Sequence, residues 1–441
     1  MNLLLSGIVL LHGTLLDGTG APPLANAYVE IEDGRIAAVG SASGFQPKPG
    51  DRIVDAAGKW IVPGYIDAHV HLFDSGSLYT SPDDFDLTRF VPHEEERQRI
   101  QSRIGETLAR FPCSGVTTVV SLAGPPWELD LARSSKAPAV VAAGPFLANF
   151  PVGSLSLWTA EDPVLVQIQT PEAARAKARE VIEAGAGIVK AGYAGSAPEE
   201  FRPVLAALVA ESHTKGVPIA MHAEELDAAK MALRAGVDVL AHTVIDRLVD
   251  DELLELARKG EVVSVTGLAH FESYRRVLDG TRELLPIESR CGDAEVIDTW
   301  DDLERIPRLE RPPAPPSIQW GSSAEGREIL LENVRRLHRG GVRLAVGTNG
   351  GNVGTLQGPS FHRELSMLAE AGIPLPDVLV AATRNGAEAI GLLGEKGTLE
   401  RGKLADLVVL SADPLSSVES FAAIERVFVE GEERITRASR P

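Results

Sequence analysis

From about residue 60 the chain alternates short apolar segments with longer amphipathic ones, and this alternation restricts the possible fold more than any other feature. The longer segments carry helix ends, as in 170–185, where Thr170 is a suitable N-cap and Gly185 a suitable stop. Strands that alternate with helices are typical of a parallel sheet, and eight of them predict a TIM-like (β/α)8 barrel, an α/β fold, over residues 61–395. The predicted strands lie in YIDAHVHL, TTVVSLA, AVVAAGPFL, GIVKAGY, PIAMHAE, VLAHTV, VVSVTGLA and LAVGTNG.

Both ends of the chain have a different pattern, with short alternating strands and glycine turns. The segment YVEIEDGRIAAVG alternates around Asp33–Gly34, a strong hairpin signal. The apolar N-terminus lacks a basic n-region and a small-residue cleavage site, and it is too short to span a bilayer, so we interpret it as a first strand. Residues 1–60 and 396–441 are therefore predicted to form one composite β-sandwich.

The stretch from about 271 to 320 interrupts the alternation between the seventh and eighth strands. It is charged and ends in RPPAPPSIQW. A long insertion on the carboxyl side of a barrel strand is usually functional. We expect this insert to be a lid over the barrel mouth.

Net charge and cysteine content exclude some classes of function. The formal net charge is −19, which argues against nucleic acid or an anionic membrane as partner, because both require a basic surface. The two cysteines, Cys113 and Cys291, lie in no CxxC motif and beside no candidate base. We expect both to be inert, without a disulfide framework, in a reducing compartment and hence in the cytoplasm.

Four histidines stand at the ends of predicted strands. His69 and His71 form an HxH on the first strand, where alternate side chains point the same way. His222 and His242 end the fifth and sixth strands. Each alone is best interpreted as a structural histidine, but four that converge at one barrel mouth predict a metal site, since imidazole is a good ligand for zinc and similar metals.

Two other polar residues occupy strand ends. Lys190 follows apolar residues on the fourth strand, where an interior lysine is costly unless it is paired or modified. A barrel carboxylate is the simple pairing partner; a lysine with a shifted pKa is the functional alternative. Asn349 ends the eighth strand in GTNGG, where Asn-Gly alone would indicate a turn.

These segments resemble the amidohydrolase superfamily, in its imidazolonepropionase- and prolidase-like branch. The similarity extends over nearly the whole chain, in many ordered motifs. The motifs that carry it are LLDGTG, VEIEDGRIAAVG, VPGYIDAHVHL, GIVKAGY, MHAEE, AGVDVLAHTV, GVRLAVGTNGG, AATRNGAEAIGL and GTLERGKLADLVVLSADPL.

The resemblance implies a hydrolase with two divalent metal ions, with zinc as the expected metal. His69 and His71 would hold the first ion, His222 and His242 the second, and a carbamylated Lys190 would bridge them. The paired ions would lower the pKa of a bridging water and polarise the scissile carbonyl. The expected substrate is a small molecule with an amide-type C–N bond: a dipeptide, an N-acyl amino acid or a cyclic amide.

Asn349 departs from this resemblance, because the family places there an aspartate that binds metal and acts as acid and base. An amide oxygen can coordinate a metal but cannot take up a proton at neutral pH. Three readings compete: an engineered Asp-to-Asn substitution, a natural variant that uses another acid or base such as Glu224, and a non-catalytic binding barrel. A lactonase or other ester hydrolase is the alternative activity.

Several weaker predictions complete the site. Tyr193 and His270, the latter placed at the end of the seventh strand, are candidate substrate-binding residues. His362 and Glu364, early in the helix after the eighth strand, are candidate partners that orient ligands. The resemblance also suggests a homo-oligomer.

Overall fold

The computed structural model describes residues 7–80, 85–150, 163–311, 313–314 and 316–436. Its strands in chain order are β1 (Ile8–Leu15), β2 (Leu24–Glu32), β3 (Arg35–Ser41), β4 (Arg52–Asp55), β5 (Trp60–Pro63), β6 (Tyr65–Val70), β7 (Val116–Ser121), β8 (Ala139–Ala142), β9 (Phe146–Ala148), β10 (Leu165–Gln167), β11 (Val189–Gly192), β12 (Ile219–His222), β13 (Val239–Ala241), β14 (Val263–Val265), β15 (Arg343–Ala345), β16 (Leu407–Leu410), β17 (Ile424–Val429) and β18 (Glu432–Thr436).

The helices that accompany them are α1 (His93–Ser102), α2 (Ile104–Cys113), α3 (Trp127–Ser134), α4 (Pro171–Glu183), α5 (Pro198–Thr214), α6 (Leu226–Ala235), α7 (Asp251–Lys259), α8 (Leu268–Leu278), α9 (Pro286–Cys291), α10 (Ala294–Thr299), α11 (Asp302–Arg305), α12 (Pro316–Gly321), α13 (Ala324–Arg339), α14 (Ser360–Glu370), α15 (Leu375–Ala382) and α16 (Arg384–Ala389). Short 3-10 turns lie at Arg308–Glu310 and Val418–Ala422. As the sequence predicts, Thr170 caps α4 by accepting the Ala173 N–H. No helix among the described residues is long and apolar enough to cross a membrane.

Parallel strands close into the predicted barrel. β6, β7 and β8 pair in that order, and β11 to β15 pair in theirs. The Gly187 N–H donates to the Ala142 carbonyl at 3.0 Å and joins the two groups on one side. On the other side the Ala68 N–H donates to the Val346 carbonyl at 2.8 Å. The interior of the ring is filled by small apolar side chains, among them Ala68, Val120, Ala220, Ala241, Val263 and Ala345.

The third predicted strand divides in two. β8 ends at Ala142, the chain turns at Gly144 with a φ of 69°, and β9 begins at Phe146. β9 then pairs with β10 and with β11. This extra pair places Phe146 beside the carboxyl end of the lysine-bearing strand.

Strands from both ends of the chain share one mixed sheet, in the order β18-β17-β16-β5-β1-β2-β3, with β4 also paired to β1. β5 links the two ends, because it is parallel to β1 and antiparallel to β16. A separate apolar cluster contains residues from both ends, including Leu10, Val29 and Phe428. Division of the chain into a sandwich of 1–60 with 396–441 and a barrel of 61–395 remains a proposal.

The insert is built largely of short helices, α9 to α12, rather than of irregular loop. Trp300 Nε1 donates to the Gly76 carbonyl at 2.9 Å, and the Leu78 N–H donates to Thr299 Oγ1 at 3.0 Å. The insert therefore packs on the segment that follows β6, close to the carboxyl end of the first barrel strand. Its action as a lid stays a prediction.

The prediction of two unpaired cysteines is wrong. Cys113, at the end of α2, and Cys291, at the end of α9, form a disulfide with a Cα–Cα distance of 5.8 Å. The two residues are 178 positions apart, so only the fold brings them together. Arg110 reinforces the same junction by donating to the Gly292 carbonyl at 2.8 Å. The insert is thus covalently tied to the helix that follows the first barrel strand.

Candidate metal centre

The four strand-end histidines form a continuous row of rings at the carboxyl ends of the barrel strands. Ring centroids lie 5.1 Å apart for His69 and His71, 4.7 Å for His69 and His242, and 4.6 Å for His222 and His242. The row follows from the strand ends: His69 lies in β6 and His71 directly follows it, β12 ends on His222, and His242 follows β13 directly. The fold brings together all four histidines chosen from the sequence.

Buried polar atoms in this cluster have no hydrogen-bond partner within the described part of the chain. They are both ring nitrogens of His69, Nδ1 of His242, Nζ of Lys190 and Oδ1 of Asn349. Each unpaired buried group costs about 1–3 kcal/mol, and native proteins rarely leave several together. Imidazole nitrogens, an amine and an amide oxygen that converge in this way fit a bound cation or cations.

Burial keeps these bases neutral near pH 7. It lowers the pKa of His71 to about 4 and holds the pKa values of His69 and His242 well below the usual range, with nearby Lys190 adding to the effect. Burial also lowers the pKa of Lys190 to about 7, against a smaller opposing effect of Glu224. Neutral imidazole binds metals, and a neutral amine is the form that reacts with carbon dioxide.

Glu224 supplies a carboxylate to the cluster. Its Oε1 lies 4.0 Å from His222 Nε2 and 4.0 Å from His242 Nδ1. These three side chains form a possible metal-ligand group, with ligand atoms within 4.8 Å of one another. The sequence singled out Glu224 only as a substitute acid or base; the structure places it at the cluster itself.

Asn349 lies where the sequence placed it, at the carboxyl end of β15. Its φ is 58°, in the left-handed region that asparagine tolerates. Its N–H donates to the His69 carbonyl at 2.8 Å. The amide therefore occupies the junction of the first and last barrel strands.

Asp67 holds this junction in place, and the sequence analysis missed it. Its carboxylate accepts the Thr348 N–H at 3.0 Å and the Thr348 hydroxyl at 2.7 Å. Burial raises the pKa of Asp67 to about 7. The available signal was its position two residues before His69, on the same face of the strand.

Glu364 and His362, both in α14, differ in what they contact. Glu364 accepts the Leu268 N–H at 3.0 Å, the Ala269 N–H at 2.5 Å and the Thr266 hydroxyl. It thereby fixes the turn at Gly267, where an added Cβ would lie 3.2 Å from His242 Nδ1. His362 instead faces the Ser114 carbonyl at 2.9 Å.

The two predicted substrate-binding residues have different surroundings. His270 does not end a strand; β14 stops at Val265, and His270 lies in the first turn of α8, with its ring 6.3 Å from that of His242. Burial lowers the pKa of His270 to about 3. The Tyr193 hydroxyl accepts the Ala197 N–H at 2.8 Å, so its described hydrogen bond is to its own loop rather than to the cluster.

The sequence and the fold of this chain both match known proteins. Residues 60–434 match the model of the amidohydrolase family. An imidazolonepropionase from Mesorhizobium japonicum is 24% identical over 436 residues, which span 90% of this chain and 89% of that protein. A putative prolidase from Bifidobacterium longum is 25% identical, with a TM-score of 0.72 over 97% of this chain and 94% of that one. Phenylurea hydrolase B has the same fold at 20% identity, with a TM-score of 0.74 over 99% and 98% of the two chains.

Proposed function

Because the chain belongs to the amidohydrolase family and is in general terms a hydrolase of C–N bonds, we propose that it hydrolyses an amide-type bond of a small molecule at this metal centre. The observation that carries the proposal is the group of unpaired buried donor atoms at the carboxyl ends of the barrel strands. A catalytic barrel places its chemistry at that end. Members of the family are generally metal-dependent, and this donor set suits a divalent ion.

The proposed ligands divide into two pairs and a bridge. His69 and His71 would hold one ion, with Asn349 beside them, and His222 and His242 would hold the other. Lys190, as its carbamate, would bridge them; its burial and lowered pKa support this modification, because they leave much of the amine unprotonated near pH 7 and without a hydrogen bond among the described residues. Zinc is the proposed metal, since three or four imidazoles suit it.

When bound, the ions would supply a water of lowered pKa and polarise the scissile carbonyl. The chain's own residues would position the groups around that carbonyl. Asp67 and Glu364 hold the two turns from which Asn349 and His270 project. Asn349 can orient a substrate or a water, but it cannot take up a proton. Glu224 is the carboxylate placed to move a proton, 4.0 Å from the imidazoles of His222 and His242.

The test is the pair of variants Asn349→Asp and Glu224→Gln, assayed on a library of amides, cyclic amides, dipeptides, lactones and esters. A positioned acid or base typically contributes about a hundred- to ten-thousand-fold. If the present chain relies on Glu224, Glu224→Gln loses activity by that factor and Asn349→Asp gains little. If the amide of Asn349 has replaced the working acid and base, Asn349→Asp gains activity by the same factor. Absence of hydrolysis in every variant loaded with metal would refute the proposal.

Three further proposals concern the oligomeric state, the cellular location and the type of binding partner. A homo-oligomer remains a proposal suggested by the family resemblance. A cytoplasmic location also remains a proposal, and the disulfide between Cys113 and Cys291 removes the cysteine argument for it. The acidic balance of the chain still favours a small-molecule partner over nucleic acid or membrane.

A further inference from the structure

Two phenylalanines flank the row of imidazoles at its opposite ends. The Phe73 ring lies 5.2 Å from the ring of His71, and the Phe146 ring lies 6.0 Å from that of His222. Both phenylalanines are only half-buried, although most large apolar side chains of the barrel are fully buried. Apolar rings left partly open beside a polar centre are typical of a ligand-binding mouth.

The position of Phe146 is built into the barrel. It starts β9, which pairs with β11, and its ring lies directly over Gly192 at the end of that strand. A Cβ on Gly192 would lie 2.0 Å from Phe146 Cζ, so only glycine leaves room for the ring. The Phe150 ring lies 5.6 Å from it and extends the apolar wall. The wall therefore covers Gly192, which is two residues beyond Lys190.

Apart from Lys190, which the proposed function assigns to the metal centre, the described segments at this mouth offer no unpaired cation. The segments that form it, all described, are 69–74, 146–150, 190–195, 222–225, 242–246, 267–276 and 347–352, and their cationic side chains are Lys190, Arg275 and Arg276. Lys190 is buried within the cluster. Arg275 pairs with Glu272 and Asp279, and Arg276 donates to the Glu283 carbonyl at 2.7 Å and lies 3.7 Å from Glu288.

Five acidic side chains lie in the same segments, namely Asp74, Glu224, Glu225, Asp246 and Glu272, of which Asp246 and Glu272 pair with Arg247 and Arg275. Because the proposed metal ions would serve the scissile carbonyl and the attacking water, a free substrate carboxylate would need a further fixed cation or a bidentate arginine to offset its desolvation. The mouth instead provides phenylalanine rings and carboxylates. Its composition suits a substrate that is uncharged around the scissile bond and carries apolar groups.

We propose that the site takes neutral amides with aromatic or other bulky apolar substituents, and discriminates against substrates that end in a free carboxylate. This inference rests on the proposed function and narrows its substrate class, with Phe73 and Phe146 as the specificity-determining residues. Dipeptides and N-acyl amino acids with free carboxylates are then the disfavoured members of the classes expected from the sequence.

The test uses two probes that differ only in charge, N-benzoyl-phenylalaninamide and N-benzoyl-phenylalanine, titrated calorimetrically into the zinc-loaded protein. The neutral amide should bind at least about tenfold more tightly than the acid. Phe146→Ala should weaken amide binding by about tenfold or more, and Phe73→Ala should also weaken it. Phe90→Ala is the matched control, because Phe90 is 41% exposed and none of the segments of the mouth contains it.

Zinc content, measured on every sample, distinguishes failure of the proposed function from failure of the proposed substrate class. A wild-type protein that takes up no zinc refutes the proposed function, whereas the ratio of the two dissociation constants tests the substrate class. Phe146→Ala with normal zinc content and weakened amide binding supports the inference. Equal or tighter binding of the acid, an unchanged amide affinity in both phenylalanine variants, or no binding of either probe at its solubility limit would overturn it.

Discussion

At Gly347 the barrel leaves no room for a side chain. The substitution Gly347→Ala therefore tests whether close packing around His69 positions the proposed metal ligand. Gly347 follows β15 and faces β6 and β14. A Cβ there would lie 2.3 Å from Val265 Cγ1, 2.8 Å from His69 Cβ and 3.1 Å from the His69 backbone nitrogen. An ordinary contact between carbon atoms is about 3.5 Å or more, so Val265 or the glycine would have to move by about 1.2 Å.

Such a movement is costly, because Val265 is fully buried and His69 is 1% exposed. Over-packing of a well-filled core costs about 1–3 kcal/mol, and a stiff β-branched neighbour places this site toward the upper end. The added Cβ would also press on His69 Cβ, which belongs to a proposed metal ligand. We therefore expect Gly347→Ala to lower the free energy of unfolding by about 2–3 kcal/mol and to weaken zinc binding by about tenfold or more.

Chemical denaturation of the metal-free protein measures the first effect, and competition with a zinc chelator measures the second. Gly394→Ala is the control, because nothing lies within 4 Å of a Cβ at Gly394. The reasoning is refuted if Gly347→Ala matches this control in both measurements. A loss of stability with unchanged zinc affinity would show that the glycine serves packing alone and that His69 is not a ligand.

Two further predictions concern the disulfide and the histidines. Thiol titration of the denatured, unreduced protein should find no free thiol, and Cys113→Ser should lower the free energy of unfolding by about 2–5 kcal/mol, since the bridge closes a loop of 178 positions; two titratable thiols would contradict the pairing. In the metal-free protein, His71 has a folded pKa of about 4, so between about pH 6 and pH 4.5 the unfolded chain binds a proton there that the folded chain does not. Stability should therefore fall as the pH falls, and His71→Gln should reduce that slope by about 1.4 kcal/mol per pH unit; an unchanged slope would show that His71 is not buried as a neutral base.

The barrel and its histidines could be predicted because their signals are local. The strands are short apolar runs, several of which contain or directly precede a histidine, and parallel strands bring their carboxyl ends to one face. His69, His71, His222 and His242 therefore had to meet once eight such strands were present. The structure confirms that the four histidines converge, because their rings form a row with neighbouring centroids 4.6–5.1 Å apart.

Other features depend on contacts between distant parts of the chain. The disulfide joins residues 178 positions apart, and no motif marks either cysteine. His270 was assigned to a strand because an apolar run continues past Val265; the chain instead turns at Gly267, in the left-handed region with a φ of 67°, and begins α8. Glu364 stabilises that turn from a helix about a hundred residues away, a partner that local periodicity cannot identify.

The tertiary structure also changed the view of Asn349. From sequence it was an amide in place of a carboxylate. In the fold it lies at the junction of the first and last strands, with its N–H on the His69 carbonyl and an unpaired buried Oδ1. Glu224, which the sequence offered only as a substitute, lies 4.0 Å from two of the imidazoles. The site therefore retains a carboxylate beside the imidazoles, to which the proposed function assigns proton transfer.

We propose that the unpaired buried atoms of His69, His242 and Asn349 are metal ligands and that Lys190 Nζ carries a carbamate that completes the centre. Elemental analysis of the purified protein, before and after reconstitution with zinc and bicarbonate, tests it most directly. The account predicts close to two divalent ions per chain for the wild type, with a marked loss in His69→Ala and in Lys190→Ala. A wild-type chain that stays metal-free after reconstitution, or variants that retain the full metal content, would contradict it.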